Sequence, residues 1–310
     1  MDNESTGNVA AVEDGAWHDR MYNNRALVPG HPAILERWMH RSAAARSGAA
    51  DAQIDLRYGN GSRELLDVFP ADEGSGREGS GSGAPVLVFV HGGYWRSLDK
   101  RDHSFIAPEF TRQGVCVVLP NYPLCPGTDA RPVTIPSIAL KLVEALAWTW
   151  RNVAKYGGDP SRITVAGHSA GGHLAAMLLA CDWPRVAPDL PRDLVRNALA
   201  ISGVHDLAPL RRTPFLAGSL RLDEVDARRA SPALWPAPDS GELYAVVGQE
   251  ESDEFLRQNM RIRDAWGVQR VPLCEPLPGL NHFTIVDALA DPSHALHGHA
   301  MALLAKTQAA

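Results

Sequence analysis

Short apolar runs alternate with stretches of helical periodicity from residue 53 onward. Residues 85–90 (PVLVFV) and 115–119 (VCVVL) are continuous apolar runs, which is typical of central strands covered on both faces. Apolar residues at helical spacing follow over residues 138–156. This alternation predicts the α/β class, with a mostly parallel central sheet flanked by helices.

The same alternation continues toward the C-terminus. Residues 53–58 and 65–70 read as an opening hairpin, because the sequence GNGS between them supplies turn chemistry. A helix is predicted over residues 173–180. Further strands are predicted at residues 162–166, 198–202, 243–247 and 271–273.

Two segments depart from this pattern. Residues 72–85 are rich in Gly and Ser, which predicts a flexible surface loop between two strands of one sheet rather than a domain boundary. Residues 205–242 are rich in Pro and Arg and have no clean period, so we expect a cap rather than a core layer. We therefore predict a single domain over residues 1–310, capped by residues 1–50 and 205–242.

Composition narrows the class of function. The net charge of −6 gives no basic field to hold a nucleic-acid backbone, so we expect no nucleic acid partner. No apolar stretch approaches the ~20 residues of a membrane span, so no membrane contact is expected. The acidic, polar start of the chain has no signal-peptide pattern, which predicts a cytoplasmic protein. The four cysteines contain no CxxC pair and are expected to be reduced and structural.

A Gly-His-Ser-Ala-Gly-Gly motif at residues 167–172 follows a predicted strand and opens a predicted helix. This is the context of a nucleophile elbow, in which a serine sits on a strained turn between a strand and a helix. Ser169 is the candidate nucleophile. The backbone N–H of Ala170 is a candidate oxyanion donor at the helix N-terminus.

A second motif, His-Gly-Gly-Tyr-Trp at residues 91–95, ends the strand before the first crossover. Elbow-type hydrolases complete their oxyanion hole at this position, so we expect the N–H groups of Gly93 and Tyr94 to join that of Ala170. His91 precedes Ser169, whereas the usual chain order is Ser, acid, His. We therefore expect His91 to hold the glycine loop.

His282 follows the last predicted strand and fits that chain order, so it is the candidate general base. The acid is left open by spacing, with Asp206 as an outside candidate. Four carboxylates share one loop-to-helix junction after the strand at residues 243–247, namely Glu250, Glu251, Asp253 and Glu254.

No metal site or cofactor is expected. His294, His297 and His299 are separated by three and then two residues, a spacing that does not place all three on one helix face. A serine hydrolase with a triad needs neither a metal nor an organic cofactor. The expected partner is a small molecule, and a homodimer is an open alternative to a monomer.

Several of these motifs together resemble the kynurenine formamidase (arylformamidase) branch of the α/β-hydrolase superfamily and its bacterial esterase-like relatives. The resemblance implies an α/β-hydrolase fold over nearly the whole chain. It is carried by the segments Met21-Tyr22-Asn23-Asn24-Arg25, Tyr58-Gly59, Leu66-Asp67-Val68-Phe69, HGGYW, Gly157-Gly158-Asp159-Pro160, GHSAGG and Ser202-Gly203-Val204-His205-Asp206-Leu207.

The resemblance also implies roles for particular residues. The stretch from Ser252 to Gln258 matches the family, which places the catalytic acid on Glu251, where the family has Asp. The expected partner is then a small-molecule ester or aryl formamide, with N-formyl-L-kynurenine as the leading substrate. Tyr94, Trp95 and Tyr22 are candidate aryl-binding residues, unless they only pack the N-terminal segment onto the core. A small-acyl carboxylesterase or thioesterase with the same triad is the alternative, and an inactive ligand-binding hydrolase fold is a third interpretation.

Overall fold

The computed structural model describes residues 14–72 and 83–307. Within this part of the chain, eight strands form one sheet in the order β1-β2-β4-β3-β7-β8-β9-β10, and β5 and β6 form a small separate ribbon. The strands are β1 Gln53–Arg57, β2 Leu65–Phe69, β3 Ala84–Val90, β4 Cys116–Pro120, β5 Gly127–Thr128, β6 Arg131–Pro132, β7 Gly158–His168, β8 Val195–Ile201, β9 Leu243–Gly248 and β10 Leu273–Leu277.

The sheet is antiparallel at one end and parallel over the rest. β1 pairs antiparallel with β2, and β2 pairs antiparallel with β4. From β4 onward every pairing is parallel, so the carboxyl ends of β3, β7, β8 and β9 meet at one edge. The predicted fold class, a mostly parallel sheet flanked by helices, is confirmed.

Helices cover both faces of the sheet. One apolar cluster includes Ile138, Leu142 and Leu174, whereas the cluster on the opposite face includes Leu296 and Leu303. The helices are α1 Asn24–Leu27, α2 His31–Gly48, α3 Ala107–Thr111, α4 Ile135–Asn152, α5 Ala170–Leu179, α6 Trp183–Val186, α7 Pro214–Leu220, α8 Glu224–Arg229, α9 Asp253–Trp266, α10 Thr284–Leu289 and α11 Ala295–Lys306.

Close backbone approach fixes where α5 begins. A Cβ atom at Gly171 would lie 2.0 Å from the carbonyl oxygen of Val90, and one at Gly167 would lie 2.2 Å from the carbonyl oxygen of Gly171. These are distances that no side chain tolerates, so glycine is required at both positions. The first turn of α5 therefore packs directly onto the ends of β3 and β7, with Ser169 at the junction.

Element bounds differ from the sequence prediction at several places. The last strand, β10, runs over Leu273–Leu277 rather than residues 271–273. The helix α5 begins at Ala170, directly after the serine, rather than at residue 173. The predicted loop at residues 72–85 is shorter at its end, because Ala84 and Pro85 belong to β3. The remainder of that loop, residues 73–82, lies outside the described residues.

Two chain segments cover the carboxyl edge of the sheet. The first has helical backbone over residues 14–22, followed by α1 and α2. The second, the predicted insertion, holds α7 and α8 between two short 3-10 turns. The backbone N–H of Phe215 in α7 donates to Asp19 at 3.1 Å, which joins the two segments above the sheet. In the described part of the chain, no helix has the length and apolar character that crossing a membrane requires.

Candidate active site

Ser169 sits on a strained turn between β7 and α5. Its backbone has φ 56° and ψ −116°, a conformation that non-glycine residues rarely adopt. The strain is held by hydrogen bonds on both sides: the Ser169 N–H donates to Ile201 at 2.7 Å, and its carbonyl accepts from His173 at 3.1 Å. This turn lifts the serine out of the sheet and gives the geometry of a nucleophile elbow.

His282 and Glu251 form a buried hydrogen-bonded pair. Nδ1 of His282 lies 2.6 Å from Oε2 of Glu251, and the carboxylate side chain is fully buried. A buried carboxylate on Nδ1 fixes the imidazole ring and leaves Nε2 as the nitrogen that faces other groups.

The other carboxylates of the junction are placed differently. Glu250 and Asp253 are exposed. Glu254 accepts from the hydroxyl of Tyr22 and is paired with Arg257. Of the described carboxylates that the sequence spacing left as candidates for the acid, Glu251 is the one that contacts His282.

The other oxygen of Glu251 is also held. Oε1 accepts from the hydroxyl of Ser202 at 2.5 Å and from the backbone N–H of Gly248 at 2.8 Å. Gly248 ends β9 and Ser202 follows β8, so two neighbouring strands anchor the carboxylate from the same edge of the sheet. A glutamate held at both oxygens is able to present one of them to His282 despite its longer side chain.

Ser169 and His282 open onto one cavity of about 550 Å³. Its wall is largely apolar and aromatic, and both capping segments contribute to it. The described lining consists of Asn23, Asn24, Arg25, Ala26, Leu35, Trp38, Gly93, Tyr94, Arg96, Ser97, Leu98, His168, Ser169, Phe215, His282 and Phe283. The structure thus brings Ser169, His282, Gly93 and Tyr94 together, with Glu251 directly behind His282.

The glycine loop after β3 lies against the serine. A Cβ atom at Gly92 would lie 3.1 Å from Cβ of Ser169 and 2.8 Å from the carbonyl oxygen of His168. The next residues, Gly93, Tyr94 and Trp95, all have positive φ angles of 101°, 50° and 54°. Three such residues in sequence form a tight, strained loop, of the kind that collects at functional sites. Ala170 opens α5, so its N–H has no acceptor inside that helix.

His91 anchors this loop from behind. Its ring nitrogens contact the carbonyl of Gly92 at 2.8 Å and the side chain of Asn121 at 2.9 Å, and its ring stacks on Tyr122 at 4.2 Å. Complete burial lowers the pKa of His91 to about 4, so the ring is neutral near pH 7. These contacts agree with the expected structural role.

His168 precedes the serine in sequence and packs against the base. It lines the cavity, and its ring centroid is 4.6 Å from that of His282. Burial, together with the neighbouring His282, lowers the pKa of His168 well below its usual range. A neutral ring at this position adds no charge that would oppose protonation of His282.

Two of the expected aryl-binding residues are placed elsewhere, which corrects the sequence prediction. Trp95 is fully buried and packs edge-on against His173 at 5.0 Å, in the core beneath the loop. Tyr22 is also fully buried, and its hydroxyl donates to Glu254 at 2.6 Å. Neither side chain lines the cavity, because each is buried in the protein interior. Tyr94 does line it, and its hydroxyl donates to the Tyr22 carbonyl at 2.5 Å.

Several residues of the site were missed by sequence reasoning. Ser202 and Asn24 stand in segments that carried the family resemblance, yet spacing gave neither a role. Arg96 directly follows the HGGYW motif, and Phe215 lies in the irregular insertion. The adjacency of Arg96 to the motif was the signal available, whereas no pattern marks Phe215.

Each histidine of the C-terminal trio has its own protein partner. His294 caps the N-terminus of α11, His297 stacks on Phe110 at 4.4 Å, and His299 contacts Glu275 at 2.9 Å. In residues 14–72 and 83–307 there is no group of three or more His, Cys, Asp or Glu side chains that could hold a metal ion.

Comparison with known proteins agrees with this geometry. A sequence profile described as the carboxylesterase family matches residues 65–280, more than half of the chain. The chain belongs to the carboxylesterase family.

Individual relatives place this carboxylesterase-family chain in the kynurenine formamidase-like branch of the α/β hydrolases. It is 28% identical to a kynurenine formamidase of Salmo salar over 90% of each chain. It is 31% identical to one of Drosophila melanogaster over 76% of each chain. A solved structure of a candidate thioesterase from a Silicibacter species is 31% identical, with a TM-score of 0.76 over 90% of this chain and 97% of the other. The chain is therefore a hydrolase of small esters or amides.

Proposed function

We propose that this carboxylesterase-family chain removes the formyl group of N-formyl-L-kynurenine and releases formate and L-kynurenine. The observation that carries the chemistry is the Glu251–His282 pair at 2.6 Å, in the wall of the cavity that also contains Ser169. The names of the relatives from Salmo salar and Drosophila melanogaster support the choice of substrate.

In the first half of the reaction, Ser169 Oγ bonds to the formyl carbon while Nε2 of His282 takes the hydroxyl proton. Glu251 holds Nδ1 and stabilises the imidazolium that forms. The carbon–nitrogen bond then breaks, and His282 returns the proton to the departing aryl amine. The product of this half is a formyl ester on Ser169.

In the second half, a water molecule takes the place of the amine. His282 accepts a proton from the water as its oxygen bonds to the formyl carbon, and the bond to Ser169 Oγ breaks with the proton returned to the serine. Formic acid leaves and releases its proton to solvent to give formate, and the enzyme returns to its starting state. All atoms come from substrate, serine and water, so the cycle uses no cofactor.

Negative charge develops on the formyl oxygen in both halves. The N–H groups of Gly93, Tyr94 and Ala170 are the proposed donors, because the strained loop and the start of α5 both lie against Ser169. Loss of one such donor typically costs ~2.7–4 kcal/mol of transition-state stabilisation. A formyl group is the smallest acyl group, so it needs little space beside this loop.

A small-acyl carboxylesterase or thioesterase is the second candidate. It uses the same residues and differs in the acyl group and in the leaving group. The carboxylesterase profile and the candidate thioesterase from Silicibacter support it.

The two candidates are separated by kcat/KM for N-formyl-L-kynurenine beside p-nitrophenyl acetate and butyrate, with wild type and Ser169→Ala. We expect the formamide to be strongly preferred, and its turnover to be abolished in the variant. Efficient cleavage of the esters with negligible formamide turnover would move the function to the esterase class. Full activity in Ser169→Ala would overturn both candidates.

A further inference from the structure

One side of the cavity carries positive charge without a matching acid. Arg25 on α1 and Arg96 after the glycine loop both line it, whereas its described lining contains no Asp or Glu. This contrasts with the whole chain, in which acidic residues outnumber basic ones by 36 to 30. Two arginines in the wall of the cavity that contains Ser169 give it a local field opposite to the net charge of the chain.

Arg96 is held in a defined position. One of its terminal nitrogens donates to the carbonyl of Phe215 and to the hydroxyl of Ser219, each at 3.0 Å. Its guanidinium also lies over the ring of Phe215, 5.4 Å from the centroid. These partners are neutral, and no described carboxylate forms an ion pair with Arg96. The side chain is therefore fixed by the cap while its charge stays unmatched.

Arg25 adds a second charge nearby. Burial and the charge of Arg25 both lower the pKa of Arg96, so the two guanidinium groups repel each other. Arg25 is exposed, and within the described residues it has no acidic partner. Next to it, Asn24 is buried in the cavity wall with its Nδ2 donor unpaired. Two like charges and an unpaired amide donor that line one cavity provide favourable contacts for an anion.

We propose that this cavity selects esters or amides whose leaving group carries a carboxylate, which Arg96 and Arg25 bind while Ser169 attacks the acyl carbon. Arg96 supplies the preorganised contact and Arg25 closes over the anion from the N-terminal segment. The inference rests on the proposed function, because it names the class of substrate for the same nucleophile. It makes Arg96 and Arg25 specificity-determining residues.

The test compares two matched probes, the anion 4-acetoxybenzoate and the neutral 4-acetoxybenzamide. Both transfer an acetyl group from a phenol, and they differ in whether the ring carries a carboxylate or an amide. The measured quantity is the ratio of kcat/KM for the anionic probe to that for the neutral probe. Taking this ratio removes changes that affect acyl transfer itself.

Three variants report on the charge. Arg96→Gln should lower the ratio by about tenfold, as expected for loss of a charge-assisted contact, and Arg25→Gln by about threefold because its exposed charge is screened. Arg96→Gln also removes hydrogen bonds to the cap, whereas Arg25→Gln touches none of them. Arg211→Gln is the control, since Arg211 is an exposed cap arginine outside the cavity lining, and it should leave the ratio unchanged.

The outcomes separate this inference from the proposed function. If Arg25→Gln and Arg96→Gln lower both probes equally, or leave both unaltered, the carboxylate selection is wrong although the hydrolase stands. A ratio that falls equally in Arg211→Gln would show a general field rather than a site, which also overturns it. If Ser169→Ala still hydrolyses the probes, the proposed function itself fails.

Discussion

Ser202 donates its hydroxyl to Oε1 of Glu251 at 2.5 Å, on the carboxylate oxygen opposite the one that meets His282. Ser202 holds this position with a φ of 52°, a backbone conformation that costs energy for a residue with a side chain. The contact explains how a glutamate, one methylene longer than an aspartate, meets His282 from this position. Its extra methylene is accommodated because the far oxygen is bound by the chain after β8.

The identity of the acid is tested by removing charge from Glu251. We expect Glu251→Gln to lower kcat by roughly 10²- to 10⁴-fold, because an amide neither fixes the imidazole tautomer nor stabilises imidazolium. Steady-state kinetics on p-nitrophenyl acetate measures the loss. Asp253→Asn is the matched control, since Asp253 is exposed and close in sequence, and it should keep near wild-type turnover. The reverse pattern would place the acid on Asp253.

Ser202 is a positioning residue and acts through Glu251. Ser202→Ala should lower kcat by about tenfold with KM changed less than about twofold, because the hydroxyl orients the carboxylate and does not touch substrate. Ser202→Gly also removes the hydroxyl but accepts the positive φ without strain. Equal kinetic losses in the two variants would assign the effect to the hydroxyl. Wild-type kcat in Ser202→Gly would contradict this role.

The strand-to-helix elbow was predictable because its requirements are local. Residues 167 and 171 must both be glycine, because a Cβ atom at either position would lie about 2 Å from a backbone oxygen. The serine stands between them in sequence. The choice of Glu251 was not local. Four carboxylates share the junction, and the one that meets His282 is also held by Ser202, which follows β8 and is distant in sequence.

The wrong placement of Trp95 and Tyr22 in the sequence prediction has the same cause, namely contacts with residues that are distant in sequence. An aromatic residue near the site can face either the cavity or the core, and the contacts that decide this for Trp95 and Tyr22 are with His173 and Glu254. The strand β10 was misplaced because it is an edge strand: Glu275 and Pro276 interrupt its apolar pattern, which a strand with one free edge tolerates.

The tight packing of α5 predicts a sharp contrast between two glycines. Gly171→Ala should lower the free energy of unfolding by about 3 kcal/mol or more, since its Cβ would overlap the Val90 carbonyl. Gly218→Ala in α7 should raise it by about 0.5–1 kcal/mol, because its Cβ meets nothing within 4 Å and alanine favours helix. Urea unfolding measures both. A similar effect of the two substitutions would contradict the close approach.

Buried histidines predict loss of stability in mild acid. Burial lowers the pKa of His91 and His173 to about 4 and that of His103 and His205 to about 3, against an ordinary value near 6.5. Below pH 6.5 the unfolded chain therefore binds protons that the folded chain does not bind. The free energy of unfolding falls as the pH falls toward 4. Each histidine contributes up to roughly 1 kcal/mol per pH unit in this window.

This effect is measurable above the range where carboxylates protonate. We expect the free energy of unfolding to fall by at least about 2 kcal/mol between pH 6.5 and 5. Replacing His205 with Phe removes one of these groups and should make the decline shallower. A flat profile over that interval would show that the rings are protonated in the folded protein.

Activation of Ser169 by His282 underlies the whole proposed mechanism, and covalent labelling measures it without a choice of substrate. Wild-type protein is treated with a fluorophosphonate, and the modified peptide is located by mass spectrometry. We expect one adduct on Ser169, formed at least about a hundredfold more slowly in His282→Gln, since the serine is weakly nucleophilic without its base. An unlabelled Ser169 in folded wild-type protein, or labelling at an unchanged rate in His282→Gln, would contradict it.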